Sequence, residues 1–306
     1  MKIVNPLAHS EVVIEDEVDA SLIIEAYARD YKIDVSEYFV DISSIKIYKC
    51  LETGYRFFYP HTLVGREDLY VKLQEYPQYY GLNYEHEIAD KFIASNQIVL
   101  EIGCGRGYFL DKLNDKGARC VGLELNQSAI SFARKKGLDV FSEDLNEHSK
   151  QNFEKYDVVC SFQVLEHIPN VGEVLQSSID ALKVGGLLII GVPNSNPYLY
   201  GHEKYHTLNN PPHHMGLWDI DSLTNLQKIF NLRLKNLFIE PLQTHDYEKY
   251  FKLQCEHFQG HNRLIGFLLE FLLLKLRPSR LRLQIQALIA KKLSGRNLLA
   301  VFEKIN

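Results

Sequence analysis

The sequence predicts an α/β fold in which a mostly parallel β-sheet carries helices on both faces. Three observations predict it. An apolar strand pattern, Ile98 to Ile102, runs directly into three glycines at alternate positions and then into an amphipathic helix. From there to about residue 240, strand patterns alternate with helical patterns. With 306 residues and an ordinary composition, the chain is also long enough to bury a large core.

The elements are predicted in chain order from these patterns. Strands are expected at 98–102, 119–123, 140–141, 157–162, 187–192, 233–240 and 298–303. Helices are expected at 84–94, 107–116, 128–136, 171–182 and 220–230, the last with Asp219 as its N-cap.

The chain divides into four regions on the same evidence. We expect an N-terminal cap over residues 1–80, a core over 81–240, a helical insertion over 241–296 and a last core strand over 297–306. The cap holds an acidic segment at 11–19, a helical pattern at 20–31 and an alternating stretch at 45–49. Its many tyrosines either form an aromatic wall for a substrate or pack the cap on the core, and we favour packing.

The glycine loop is the most specific signal. Glycine at 103, 105 and 107 lets the backbone turn sharply and approach a ligand closely. The order Glu101-x-Gly-x-Gly-x-Gly differs from the G-x-G-x-x-G of dinucleotide sites, and the Glu101 carboxylate would repel a pyrophosphate. The loop therefore indicates a nucleotide-type ligand that bears an amino or cationic group, which disfavours an NAD-linked oxidoreductase.

Acids recur at the ends of the following strands. Glu124 stands about twenty residues beyond the first glycine, where a carboxylate can accept both ribose hydroxyl protons. Asp144, with Glu143 as the alternative, follows the third strand and can accept from an adenine amino group, and Leu145 can cover the ring. These acids are thus candidates for binding an adenosine moiety.

Taken together, these motifs resemble the class I S-adenosylmethionine (SAM) dependent methyltransferases across residues 82–240 and the last strand. The Leu-Glu-His that ends at His167 is similar to that of ubiquinone-type O-methyltransferases and of bacterial methyltransferases in sugar or secondary-metabolite pathways. The resemblance implies a Rossmann-like seven-stranded sheet with an antiparallel last strand, and SAM across the carboxyl ends of the first strands.

The resemblance also implies residue roles. The glycine loop would line the methionine moiety, Glu101 would orient the loop or the amino group, and Phe162 with Gln163 would lie on the sulfonium side. The full set of expected SAM-binding residues is Glu101, Gly103, Cys104, Gly105, Gly107, Tyr108, Glu124, Leu125, Asp144, Leu145, Phe162 and Gln163.

Histidines are the candidates for the acceptor side. Glu166 and His167 follow the fourth strand; they would orient a base, join a divalent metal site as suggested for ubiquinone-type relatives, or only cap the next helix. His213 and His214 lie in a Pro-Pro-His-His loop that resembles a segment of many such bacterial enzymes, and one of them is expected to contact the acceptor or take its proton. Weaker candidates are His206, Tyr198 and Tyr205.

The cap departs from the zinc-binding cysteine domain that begins related sugar methyltransferases. Cys50, Gly54 and Pro60 fit its pattern, but Thr53 stands where a second cysteine belongs. One thiolate cannot hold a structural zinc, so we expect a metal-free remnant that serves as a substrate lid, and no resident metal. Five scattered cysteines, with neither a signal-peptide pattern nor a membrane-length apolar run, favour a reduced, cytoplasmic protein.

The insertion carries an apolar stretch at 264–276, followed by Arg277, Arg280, Arg282, Lys291 and Lys292. Peripheral membrane contact through 264–292, a lipid-like substrate or a homodimer interface would each fit this pattern. We favour a helix buried against the domain or a partner subunit, because the basic residues flank the apolar stretch without forming an opposite face.

The sequence thus predicts a SAM-dependent methyltransferase of a small hydroxylated metabolite, sugar or lipid-linked intermediate, acting at oxygen. Methylation at carbon or nitrogen, and a catalytically inactive SAM-fold scaffold, are the alternatives. The net charge of -5 gives no basic footprint for nucleic acid, so we expect a small-molecule substrate.

Overall fold

The computed structural model describes residues 3–8, 10–75, 81–195, 206–276 and 279–306. The candidates Tyr198 and Tyr205, and Arg277, lie outside the described residues. The strands of the described part are β1 Val12–Asp19, β2 Ser44–Cys50, β3 Arg56–Tyr59, β4 Ile98–Ile102, β5 Arg119–Leu123, β6 Val140–Phe141, β7 Tyr156–Phe162, β8 Leu182–Pro193, β9 Gly216–Leu217, β10 Leu232–Pro241 and β11 Ser294–Lys304.

The α-helices lie between and beside these strands. They are α1 Ala20–Tyr31, α2 Glu67–Leu73, α3 Tyr84–Ala89, α4 Tyr108–Asp115, α5 Gln127–Lys135, α6 Leu145–Gln151, α7 Val171–Ala181, α8 Ile220–Thr224, α9 Tyr247–His261, α10 Arg263–Glu270 and α11 Ser279–Ala290.

The core is a seven-stranded sheet in the order β10-β11-β8-β7-β4-β5-β6. The pairs β8–β7, β7–β4, β4–β5 and β5–β6 are parallel, whereas β11 runs antiparallel to both β8 and β10. The Rossmann-like sheet with an antiparallel last strand is therefore confirmed. Six strands point the same way, so their carboxyl ends lie along one edge, which is where open α/β sheets bind ligands.

The predicted core strands all form, three of them with the predicted ends. β8 begins at Leu182 instead of residue 187, because Leu182 already pairs with Tyr156 of β7; the register then shifts across a stretch that contains the left-handed Gly185 (φ 78°). The predicted helix 220–230 ends at Thr224 and continues as a 3₁₀ turn, Asn225–Lys228. The predicted helix 84–94 likewise ends at Ala89, where a 3₁₀ turn, Asp90–Phe92, follows.

The cap elements β3, α2 and β9 were not predicted, and neither were β1 and α6. The acidic segment 11–19 forms β1, an edge strand whose charged side chains face solvent while Val18 is buried. Helix α6 forms directly after β6, because the Asp144 side chain accepts hydrogen bonds from the Asn146 and Glu147 amides and caps it. Both are short amphipathic elements in which tertiary contacts outweigh a weak local pattern.

The N-terminal residues form a second, four-stranded antiparallel sheet, β1-β2-β3-β9. Helix α1 buries Ile23 and Tyr27 against a core that includes Ile45 and Phe58. The fourth strand, β9, comes from the segment that follows the Pro-Pro-His-His loop, so this sheet holds that loop in place.

Arg56 joins the two sheets. Its guanidinium is 5% exposed, donates to the Ser195 hydroxyl at 2.5 Å and lies 3.6 Å from the carboxylates of Glu15 and Asp219. Asp219 in turn caps α8 through a hydrogen bond from the Ser222 amide, which confirms the predicted N-cap. A buried charge with several carboxylate and hydroxyl partners fixes the cap against the core.

The insertion contains α9, α10, a π-helical turn at Phe271–Lys275, and α11. Among the described residues, we find no helix that combines the length and hydropathy needed to cross a bilayer.

Replacing Ile190 by alanine tests the packing of the core sheet. Ile190 is fully buried in β8, so Ile190→Ala should lower the free energy of unfolding by about 2–5 kcal/mol. Leu51→Ala, at a side chain that is 59% exposed, should change it by less than about 0.5 kcal/mol. Urea denaturation of both variants measures the difference, and equal losses would contradict this packing.

Candidate active site at the carboxyl edge of the sheet

The glycine loop joins β4 to α4 under tight steric limits. Gly103, Gly105 and Gly107 all have positive φ, at 71°, 53° and 72°. A Cβ at Gly103 would lie 2.3 Å from the Val164 side chain, and one at Gly107 would lie 2.5 Å from Leu138. Glycine is therefore required here by both conformation and space. The contact with Val164 also sets the loop beside the chain that leaves β7.

Glu124 holds the glycine loop from the end of β5. One carboxylate oxygen accepts from the Gly105 amide at 2.8 Å, and the other accepts from the amides of Leu125 and Asn126, each at 2.8 Å. The carboxylate thus stands at the mouth of the loop. The sequence predicts that Glu124 binds the ribose hydroxyls from this position.

Glu101 is buried beneath the glycine loop. It is 3% exposed, and its Oε2 has no hydrogen-bond partner among the described residues. Burial, with the nearby Glu124 charge, raises the pKa of Glu101 to about 8. An orphaned buried carboxyl gains from a cationic ligand group, so the residues present fit the ammonium group of SAM.

The expected adenine residues lie on the other side of Glu124. Asp144 is exposed, and its Oδ1 accepts from two amides of α6, so this carboxylate caps a helix as well as facing the edge. Leu145 is 9% exposed, whereas Leu125 is 76% exposed. The alternative Glu143 bonds His148 Nδ1 at 2.7 Å. The large exposed Leu125 beside Glu124 is an apolar surface that a flat ring can cover.

Four other expected SAM-binding residues have defined surroundings. Cys104 is buried, and burial raises the pKa of its thiol, which stays protonated. The Tyr108 ring packs against Phe132 and beneath Lys136 Nζ, on the α4–α5 surface. Phe162 is buried against Phe109, and Gln163 takes a left-handed φ of 56° directly after β7.

Three histidines meet at the same edge. The ring centroids of His167, His213 and His214 lie 4.5 to 4.8 Å apart, and one nitrogen of each lies within 4.8 Å of the others. His167 Nδ1 donates to the His213 carbonyl at 2.6 Å, and His213 Nδ1 donates to the Leu208 carbonyl at 3.0 Å. Because a carbonyl oxygen only accepts, these bonds place the protons of His167 and His213 on Nδ1, so in the neutral rings Nε2 carries the lone pair.

Burial keeps these imidazoles neutral. It lowers the pKa of His167 to about 4 and lowers the pKa values of His213 and His214 well below 6.5, and neighbouring histidines add to the shift for the latter two. A cluster of neutral rings with free lone pairs can take up a proton or bind a cation.

Glu166 lies beside this cluster. It is 1% exposed, neither carboxylate oxygen has a hydrogen-bond partner among the described residues, and Oε1 is 3.7 Å from His167 Nε2. Burial raises the pKa of Glu166 to about 8. Helix capping is wrong as an account of Glu166 and His167, since they form a 3₁₀ turn and Asn170 holds the N-cap position of α7.

The tyrosines of the cap divide between two roles. Tyr48 and Tyr55 pack within the protein core, and Tyr55 lies 4.4 Å from Trp218 between ring centroids. Tyr70 instead reaches the histidine cluster, 5.7 Å from the His167 ring and 5.9 Å from the His213 ring. Packing explains most of the aromatic cap, and Tyr70 brings one ring to the site.

Sequence reasoning missed a group of polar residues at this edge. Glu85 on α3 is fully buried, accepts from Gln163 Nε2 at 2.6 Å and accepts from Asn297 Nδ2 at 3.5 Å. Burial and the Glu85 charge raise the pKa of Glu240, at the end of β10, to about 7. The rule that singled out Glu124, an acid at a strand end, would also have found Glu240. No local signal marks Glu85, because its partners come from distant strands.

Cys50 is enclosed by hydrogen bonds in the cap. Its Sγ lies 3.0 Å from the Ser10 hydroxyl and accepts from the Thr53 amide at 3.3 Å. Thr53, which stands where a second cysteine is expected, therefore donates its backbone N–H to Cys50.

Comparison with known proteins agrees with this geometry. Residues 75–236, more than half of the chain, match the family model described as a methyltransferase domain. A ubiquinone biosynthesis O-methyltransferase from Aeromonas salmonicida is 30% identical over 108 residues, which are 33% of this chain and 45% of that protein. One from Vibrio parahaemolyticus is 27% identical over 177 residues, 56% of this chain and 63% of that protein.

The matched regions span about half the length of these curated relatives. Among solved structures, a SAM dependent methyltransferase from Archaeoglobus fulgidus aligns with 71% of this chain and 90% of its own, at 18% identity and a TM-score of 0.48. The glycine loop, the orphaned carboxyl oxygen beneath it and the family match lead to one conclusion: the chain belongs to the methyltransferase domain family.

Proposed function

We propose that the enzyme transfers the methyl group of SAM to a hydroxyl oxygen of a small metabolite, sugar or lipid-linked acceptor. The observation that carries this proposal is the buried cluster of His167, His213, His214 and Glu166 beside the glycine loop. Val164 connects the two, because it touches the loop at Gly103 and precedes Glu166 by two residues. Amine acceptors need this machinery less, since a neutral amine needs no base before it attacks.

The SAM half of the site follows from the residues at the carboxyl edge. Glu124 binds the ribose hydroxyls, Glu101 faces the amino group, and Asp144 with Leu125 and Leu145 receives the adenine. When bound, SAM supplies an electrophilic methyl group on a sulfonium. The protein then has to hold the acceptor oxygen in line with that methyl, and such alignment is worth about 7–11 kcal/mol.

The acceptor half handles one proton. The Nε2 lone pair of His167 accepts the hydroxyl proton, while its Nδ1–H stays on the His213 carbonyl. The resulting imidazolium lies 3.7 Å from Glu166 Oε1, and when Glu166 is in its ionised form its carboxylate offsets the buried positive charge. A base placed in this way contributes about 10²–10⁴-fold to the rate. Tyr70 and the cap sheet lie over this half and act as a lid that excludes water.

A divalent cation on the three histidines is the second candidate role for the cluster. Nitrogens within 4.8 Å of one another, with two Nδ1–H groups fixed by carbonyls, are typical of metal-binding histidines. Bonds of about 2.0–2.1 Å would require the rings to move closer together. Dialysis against a chelator separates the two roles: the rate is unchanged for a histidine base and lost for a metal site.

Calorimetric titration with S-adenosylhomocysteine tests the SAM half. Glu124→Ala removes the carboxylate that organises the loop and faces the ribose, so affinity should fall by about 10- to 100-fold. Glu147→Ala, at an exposed acid on the neighbouring helix α6, is the matched control and should bind normally. Undiminished binding by folded Glu124→Ala would contradict the assignment.

The pH dependence of binding tests Glu101. Its carboxyl has a pKa of about 8 in the free protein, so at pH 6 it is protonated and must ionise to face an ammonium group. Affinity for S-adenosylhomocysteine should therefore rise between pH 6 and pH 8, by at most roughly tenfold per unit. Glu101→Gln should weaken binding at pH 8 and flatten this profile. A wild-type affinity that falls over this range would rule out the pairing.

Replacement of His167 tests the acceptor half. His167→Ala and His167→Gln should both lower kcat by about 10²-fold or more and leave the affinity for S-adenosylhomocysteine unchanged. The glutamine amide keeps a donor toward the His213 carbonyl but has no basic nitrogen. Recovery of turnover in His167→Gln would instead show that His167 only positions the loop.

A further inference from the structure

The charge of this chain is strongly segregated. Residues 263–292 carry seven basic residues and one acidic residue, a net charge of +6, although the whole chain has a net charge of -5. The remaining residues therefore carry -11. Arg263, Arg280, Lys291 and Lys292 are exposed. This segment of the insertion thus has a net positive charge, whereas the rest of the chain has a net negative charge.

The same segment exposes its large apolar side chains. The expectation that it is buried against its own domain is wrong, since Leu264 is 71% exposed and Leu268 is 54% exposed. Large apolar side chains exposed along α10 and the π-helical turn are Leu264, Ile265, Phe267, Leu268, Phe271 and Leu272. Those exposed on α11 are Leu281, Leu283, Leu288 and Ile289. Ten large apolar side chains exposed within one segment mark it as an interaction site.

The outward direction of this surface is fixed by how α10 packs. Its buried residue is Gly266, where a Cβ would lie 2.6 Å from the Gln259 backbone nitrogen on α9. Gln259 Nε2 also donates to Glu270 at 2.9 Å. Because α10 meets α9 through a glycine and a polar pair, its leucines and phenylalanines have no place within the hairpin and face outward.

The insertion leaves the core at the same edge as the active site. It begins after Pro241, at the carboxyl end of β10, and returns at β11. At its base, Asn297 Oδ1 accepts from Gln163 Nε2 at 3.4 Å, and Gln163 directly follows β7. The insertion that carries the apolar and basic residues is therefore rooted at the edge of the sheet where the glycine loop lies.

We propose that residues 263–292 dock the enzyme on the surface of a bilayer that contains anionic lipid. Leucine and phenylalanine side chains enter the boundary between headgroups and acyl chains, and the flanking lysines and arginines bind lipid phosphates. The helices lie in the interface, consistent with their short length.

The position of this surface also identifies the acceptor class. An enzyme docked here turns its active-site edge toward the membrane, so the acceptor is a hydroxyl carried by an amphipathic or lipid-linked molecule. This second step rests on the proposed function, whereas membrane docking itself does not.

A second copy of the chain fits this surface less well. In a two-fold dimer the same surface of each copy faces the other, so two segments that each have a net charge of +6 would be brought together. Like charges juxtaposed in an interface repel each other and oppose association. A bilayer with anionic headgroups complements both the charge and the apolar side chains, which is why we assign the surface to lipid.

Vesicle flotation of the full chain tests the docking surface. The protein should float with vesicles of three parts phosphatidylcholine to one part phosphatidylglycerol, bind phosphatidylcholine alone at least about tenfold more weakly, and detach in high salt. Leu264→Ser with Leu268→Ser, and separately Lys291→Glu with Lys292→Glu, should each weaken binding to the anionic vesicles at least about tenfold.

Matched double variants elsewhere serve as controls. Leu22→Ser with Leu51→Ser changes leucines that are 60% and 59% exposed, and Lys91→Glu with Lys135→Glu changes exposed lysines outside the insertion; both should float normally.

Failure of the wild type to float, equal binding to both vesicle types, or equal losses in the controls would overturn the proposal. A dimer that dissociates in Leu264→Ser with Leu268→Ser, without any flotation, would assign the surface to self-association. S-adenosylhomocysteine titration of the same samples is independent of flotation and tests the methyltransferase assignment separately.

Discussion

Six strands of the core sheet run in one direction, and everything functional in this molecule depends on the edge at which they end. The apolar strands β4, β7 and β8 are buried on both faces, as is typical of parallel strands. Their parallel pairing brings segments that are distant in sequence to one edge of the sheet. The glycine loop and Glu124 are the first residues after their strands, and the turn that holds His167 begins three residues after β7. The antiparallel β11 begins at the same edge, so the insertion leaves and re-enters the sheet there.

This edge is rich in buried acids that lack positive partners. Glu101 interacts with Glu124, and Glu166 and Glu240 are both influenced by Glu85, so burial and mutual repulsion raise the pKa of Glu101, Glu166 and Glu240 together. Such an arrangement is costly in the empty protein and favours ligands with positive charge. A sulfonium and an ammonium group suit it, whereas the pyrophosphate of a dinucleotide does not. The electrostatics thus support the proposal that the glycine loop binds SAM.

The sequence predicted the core well because buried parallel strands and their glycine turn leave strong local patterns. It predicted His167, His213 and His214 as candidates, but not that a backbone carbonyl of the second would orient the ring of the first. Glu85 was missed because its partners come from two distant strands. The orientation of α10 was also missed. An apolar run is normally interpreted as buried, and the sequence does not show that α10 packs against α9 through Gly266. In each case, information held in tertiary contacts is absent from local periodicity.

A crystal structure of the complex with S-adenosylhomocysteine would test the central claim most directly, namely that the carboxyl edge holds SAM between Glu124 and the histidine cluster. We expect the ribose hydroxyls at Glu124, the amino group on the side of Glu101, and the sulfur turned toward Gln163 and His167. A ligand absent from the glycine loop at saturating concentration, or bound there with its sulfur directed away from His167, would contradict the account.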